Sequence, residues 1–392
     1  MRGIQRFLKI ALAGLALGLL QGQGCFPPAP DGGEDDTDDS GCVELSGTIS
    51  EDTTLDQSCY EITGLIEVVN DATLTIQPGV TLTFHEDCQM TVSSGQLIAV
   101  GTAEAPIVFT GMETTPGYWA GLRFLDSDSP SNRLEYVTIE YGGGYWEANL
   151  LVQAGATGST YLQVDHCTLR HSGAYGFVFS GNIAVPTFTN NTITGNASGA
   201  GNVGANLVRF LDGSSTYTAN TSEIVRISTA AVNEDQTWPA IDVDYYVQST
   251  IGLNITADLT ISPGASFIFH DDDEKVLVYG SLYAVGTAAQ PITMTAASQT
   301  PGGWGGLRYY NTNSTLNRLE YVTLSYGGGY YQANLDLSGA GIAPTQVTVQ
   351  NCTFTNSAGY GVYWIPEYVT VNGDLAGDNT YSGNALGDVG TP

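Results

Sequence analysis

Between residues 140 and 171 the chain carries Glu140, Glu147, Asp165, His166, Arg170 and His171, a concentration of acidic and basic groups in a sequence otherwise poor in charge. Two carboxyl groups set roughly 5–9.5 Å apart can hydrolyse a glycosidic bond, one giving a proton while the other activates water or attacks. In such a site Asp165 or Glu140 would be the base, His166 or His171 the proton shuttle, and Arg170 the group that stabilises an anion. Strand alternation puts Asp165 and Cys167 on one face and His166 on the other, so the set cannot all converge. At the positions 185 residues further on stand Ser325, Gln332, Gln350, Asn351, Thr355 and Asn356. A single active site need not recur, but loss of charge at every position is what drift on solvent-facing turns produces, and drift is the simpler reading. Arg123, Arg133 and Glu135 do recur, as Arg308, Arg318 and Glu320, which assigns them to ion pairs of the scaffold.

Other chemistry is sparser. The run HDDDEK at 270–275 offers Asp271, Asp272 and Asp273 as oxygen ligands for Ca2+, but it lacks the spaced ligands and the glycine of a calcium loop. Adjacent carboxylates on a turn point apart, so solvated side chains are expected and no cofactor is assigned. Four His and scattered Cys show no zinc spacing. Gly142-Gly143-Gly144 has no lysine or helix after it and is no phosphate loop. The aromatic pairs Tyr145-Trp146 and Tyr330-Tyr331 follow these glycines and their counterparts, and are expected on outward turns where rings could stack on sugar faces. Trp119 and Trp304 are expected to stack inside the fold.

The elements that carry these residues are duplicated. Residues 116–151 return at 301–336 with 22 of 36 positions identical and no gap, and LTIQPGVTLTF at 74–84 returns as LTISPGASFIF at 259–269. The offset of 185 still holds at Cys167 and Cys352, and the boundary falls near 213–225. Within a copy, alternating runs such as VTLTF, QLIAV and LEYVTIEY follow one another, each with one buried face, separated by turn residues. Val137, Cys167 and Asn191 begin similar strands 30 and 24 residues apart, about one coil of a large solenoid. Hairpin dipeptides are rare, which argues against a sandwich.

LTIQPG, GQLIAVGTAEAPIVFT, GYWAGLRF, NRLEYVTIEYGG and NNTITGN resemble the right-handed parallel β-helix repeat proteins exported by bacteria, which share the pectate-lyase-like fold. The resemblance covers 43–392 and implies an all-β chain, a right-handed parallel β-helix in two tandem homologous copies, at 42–218 and 219–392. Enzymes of that fold use Ca2+ with an Arg or Lys base, or paired carboxylates; other members are adhesins and surface proteins, so fold alone licenses no activity.

The N-terminus has a basic flank, the apolar run IALAGLALGLL and then QGQGC, the pattern of a signal peptide over 1–25 that is too short to span a bilayer. Cys25 stands where a bacterial lipoprotein is lipidated, although Gly22 and Gln23 depart from the usual residues and ordinary cleavage stays open. Residues 26–41, rich in Pro, Gly and acid, read as a disordered tether. An oxidising compartment permits disulfides; Cys42 with Cys59 is the preferred pair and Cys59 with Cys88 the rival. Cys167 and Cys352 read as core thiols. A formal net charge of −29 excludes nucleic acid and leaves the membrane within reach only through a lipid. The expectation is therefore a non-catalytic cell-envelope or surface protein that binds a polysaccharide or cell-surface glycan, adheres, or is structural. It would sit at the outer membrane or cell surface as a lipoprotein, otherwise in the periplasm or secreted. The alternative is a polysaccharide lyase or glycoside hydrolase with its site in the first copy. Oligomeric state is left open.

Overall fold

The computed structural model describes residues 41–249, 251–340 and 344–392. The expected signal segment, Cys25 and nearly all of the expected tether lie outside them. Strands alternate as their sequences do: in Thr81–Phe84, Leu82 and Phe84 are buried while Thr81 and Thr83 stay partly exposed. Each rung sends its apolar side chains into the coil, where one continuous core runs from Ile49 to Leu375. Full burial of a Leu or Phe contributes about 1.5–3 kcal/mol, so stacking rungs supplies the stability that no single coil has.

Pairing is parallel: Thr138 lies beside Thr168, and Thr168 beside Thr192, which are the 30- and 24-residue steps read from the sequence. The chain is a right-handed parallel β-helix of about 12 turns. Among the described residues the one helical element is a 3-10 turn at Ala205–Phe210.

Single left-handed residues turn the corners. Tyr136, His166 and Asn190 (φ 49, 53 and 55°) link the first wall of the coil to the second, and Tyr141 and His171 (φ 60 and 55°) link the second to the third. Such a conformation costs roughly 1–2 kcal/mol in a non-glycine residue. Buried asparagines offset it by satisfying corner backbone groups: Asn191 accepts from the Cys167 N–H at 2.9 Å and Asn196 from the Ser172 N–H at 2.9 Å. The corner at His166 also corrects the expected alternation. Asp165 ends a strand pointing outward, His166 makes the turn, and Cys167 points inward and is buried, so Asp165 and Cys167 do not share a face.

The sheets switch partners in mid-chain. The third wall passes through Gly199–Val203, whose Gly201 pairs with Val225 of Ile224–Ile227, and Val225 pairs in turn with Tyr245. That wall then runs into Ser266–Phe269, the sequence counterpart of Thr81–Phe84 in the second wall. Matching sequences therefore lie on different sides of one continuous rod. At the N-terminal end Cys42 is bridged to Cys59, with Cα atoms 4.9 Å apart, which excludes the Cys59–Cys88 pairing. Cys167 and Cys352 are buried free thiols, and burial pushes both up to about 12.

Candidate functional site

Four of the six charged residues at 140–171 form two groups, while Glu147 is exposed on the aromatic turn and His171 stacks on Tyr141. Glu140 ends Val137–Glu140 and is buried; Arg170, its register partner one rung on, donates from Nε to Oε2 at 2.6 Å, and Thr110 donates to Oε1 at 3.0 Å. Asp165 lies at the other end of the next rung, where Thr189 and Asn190 donate to it at 2.6 and 3.2 Å and His166 Nδ1 stands 3.0 Å away. Burial works to raise the Asp165 carboxyl, but the hydrogen bonds from Thr189, Asn190 and His166 outweigh it and hold the group below its ordinary value. That is the opposite of what a general base or acid at neutral pH needs.

Four residues of strand and corner, His166 to Leu169, separate Asp165 from Arg170. Asp165 closes one strand before the left-handed corner at His166 and Arg170 closes the next strand after it, so the two groups stand at the ends of different walls. The histidines are corner residues stacked on tyrosines of the preceding coil, His166 on Tyr136 at 4.8 Å and His171 on Tyr141 at 5.4 Å. Glu140 is thus bonded to Arg170 and Thr110, and Asp165 to Thr189, Asn190 and His166, with no partner in common.

The acidic turn does not gather ligands either. Asp271, Asp272 and Asp273 are exposed, and the Asp273 N–H donates to Asp271 at 3.1 Å in a local turn. Among the described residues no three His, Cys, Asp or Glu side chains come together as a metal set. The next residue, Glu274, is buried beneath the turn, bonded by the Ser249 N–H and hydroxyl. Burial raises its carboxyl above the ordinary value against the pull of those Ser249 bonds.

The aromatic turns show the most developed outer surface, and they differ between the halves. Trp119 and Trp304 are both fully buried, stacked on Phe84 at 4.0 Å and Phe269 at 4.2 Å. Each indole N–H donates at 2.8 Å to the carbonyl of Glu140 or Ser325. Above them, Tyr145 and Tyr330 are 57% and 60% exposed, as expected of outward turns. Tyr331 is not: it is 4% exposed, covered by the Arg308 guanidinium 4.1 Å from its ring, and burial raises its hydroxyl well above the ordinary value. Trp146 is half-buried under Arg123, 4.4 Å from the ring centre.

Around Arg308 the outer face of the seven-stranded C-terminal sheet carries a register column of Leu277, Arg308, Asp336 and Tyr363, about 4.8 Å apart from rung to rung. Asp336 accepts two bonds from Arg308, both at 3.0 Å. Lys275 Nζ sits 4.0 Å over the Tyr330 ring. Exposed Tyr279 meets Tyr310 edge-on at 6.2 Å. The corresponding column in the N-terminal half is Thr91, Arg123, Leu151 and Val178. There Arg123 has no carboxylate; its terminal nitrogen reaches Gln153 at 3.2 Å, while its Nε and the Trp146 indole N–H are buried without a partner. Burial lowers the Arg123 guanidinium below its ordinary value, opposed by Asp126 and Tyr145.

Residues 47–149 match the family described as a pectate-lyase like beta helix domain. No curated protein and no solved structure matches the chain. The matched span is about a quarter of the sequence and includes Glu140 but neither Asp165 nor Arg170. The match agrees with the coil geometry and with a surface or carbohydrate-related role at that coarse level.

The expected ion pairs at Arg133–Glu135 and Arg318–Glu320 are formed, at 2.5 and 2.6 Å. Sequence reasoning passed over Lys275, Tyr310 and Asp336. The signal was present in ANLDLS against ANLLVQ, where an aspartate interrupts an apolar run at a slot that must face outward beside an arginine.

Proposed function

We propose that the protein is a non-catalytic glycan-binding protein of the cell surface, with its main binding surface on the outer face of the C-terminal seven-stranded sheet. The observation that carries this reading is the exposed Tyr330 ring flanked by Lys275 at 4.0 Å, beside the Arg308–Asp336 pair and the Tyr279–Tyr310 rings. Rings offer apolar faces to sugar C–H groups, and the guanidinium of Arg308, held in place by the buried Asp336 carboxylate, offers donors to hydroxyls. A chain with a net charge of −29 disfavours polyanions, so neutral glycans are the preferred class. Tyr145 and Trp146 form a smaller surface of the same kind. In this reading a signal peptide exports the chain, lipid on Cys25 holds it at the envelope, and the acidic tether carries the rod clear of the membrane.

The full chain should be tested on an array of neutral and acidic glycans, and in parallel for release of reducing ends and unsaturated products. Binding of neutral glycans without product formation is expected. Product formation that Asp165→Ala or Glu140→Gln abolishes would replace this reading with the enzymatic one. An array without binding would leave a structural protein.

A further inference from the structure

Where the sheets switch partners, a cavity of about 230 Å3 opens between the halves, walled by Ser180 and Asn182 on one side and by Arg209, Ser228, Thr229 and Glu234 on the other. It exists because the 3-10 turn Ala205–Phe210 occupies the place where a rung strand would otherwise close the coil. Its polar groups form a ring: Arg209 is paired with Glu234, and Thr229 accepts the Ala205 N–H at 3.0 Å, leaving its own hydroxyl hydrogen to donate. One outward position back along the same strands, about 7 Å away by strand geometry, stand Asn202 and Arg226, which are register neighbours. Asn202 Oδ1 and Arg226 Nε are both buried and both without a hydrogen-bond partner. Neither residue lines the cavity and both atoms are shielded from solvent, so the groups that can meet a ligand are those of the wall itself, Ser180, Asn182, Arg209, Ser228, Thr229 and Glu234.

We propose that this junction cavity binds one neutral sugar unit, the terminal or branch residue of a glycan, through the Arg209–Glu234 pair and the Thr229 hydroxyl. The volume lies below the roughly 300–1,000 Å3 of pockets that enclose drug-sized ligands, which suits a single ring and excludes a threaded chain. Vicinal hydroxyls match the Arg209–Glu234 pair, which presents a donor and an acceptor side by side. The inference rests on the glycan-binding reading but concerns a different surface from the Tyr330 wall.

The test uses the full chain titrated with neutral methyl glycosides and the matching disaccharides, followed by ligand-observed NMR. Expected are millimolar binding of at least one methyl glycoside, comparable binding of its disaccharide, and at least tenfold weakening of both by Glu234→Ala. Asn182→Trp, at an exposed position, should block the cavity without touching the ion pair, while Tyr330→Ala should change monosaccharide binding less than twofold. Absence of methyl glycoside binding, or binding that survives both Glu234→Ala and Asn182→Trp, would overturn the junction site. If glycans still bind and Tyr330→Ala removes that binding, the wall reading stands while the junction site falls. If methyl glycosides bind and only the cavity variants weaken them, the junction site stands without the wall.

Discussion

Arg123 and Arg308 occupy matching positions in stretches that share 22 of 36 residues, each above a buried tryptophan stack, yet one guanidinium is left without a carboxylate and the other is held at 3.0 Å by both oxygens of Asp336. The inward residues beneath them hardly differ: Phe84 with Trp119 and Phe269 with Trp304 stack at the same interplanar angle of 11°. Coiling fixes what points inward, because a core slot tolerates only a side chain of similar volume. Outward slots have no such constraint, and Leu151 against Asp336 shows how far they diverge. Function in this rod must therefore be read from its outer columns.

The shared stack should give the largest effects, and equal ones. Trp119→Ala and Trp304→Ala are each expected to cost about 3–5 kcal/mol in urea unfolding. Unequal losses would show that the two cores are not equivalent. Next comes the contrast at the arginines. Arg308→Met leaves Asp336 buried with only the Ser338 hydroxyl at 2.7 Å, and should cost about 3 kcal/mol. Arg123→Met removes a cation that burial already disfavours and should change stability by less than about 1 kcal/mol.

The smallest expected effects are in pH dependence, and their signs are opposite. Asp165 is held below its ordinary value, so its share of stability is present above the unfolded value of 3.8 and is lost as pH falls through the lower folded one. Glu274 is raised above 4.5, so its native form keeps its proton longer, and stability declines as pH rises through the window above 4.5. Asp165→Asn should flatten the acid limb of a melting-temperature profile, and Glu274→Gln should flatten the limb just above it. Identical profiles for the two variants would refute the assignment.

Much of the coil was legible because alternation and the 30- and 24-residue strand spacing are direct consequences of rungs stacking on rungs. The inward places of Trp119 and Trp304 follow from the same pattern, while the Cys42–Cys59 bridge follows from where the two cysteines stand, flanking the first strands. What escaped were events that break the period. A left-handed residue at His166 resets which neighbours face inward, so Asp165 and Cys167 part company. Tyr331 was expected outside with Tyr330, but an arginine from the preceding rung closes over it, a contact no local pattern announces. The change of sheet partner near residues 203–225 was equally hidden, because hydrogen-bond register between coils leaves no mark on either strand alone.

The glycan-binding wall is tested most directly by titrating the full chain, Tyr330→Ala and Tyr145→Ala with a neutral oligosaccharide selected on the array. Tyr330→Ala should weaken binding at least tenfold, about 1.4 kcal/mol, and Tyr145→Ala less than threefold, because only Tyr330 has Lys275 at its face and a paired arginine beside it. Equal losses in the two variants, or a greater loss at Tyr145, would contradict the account.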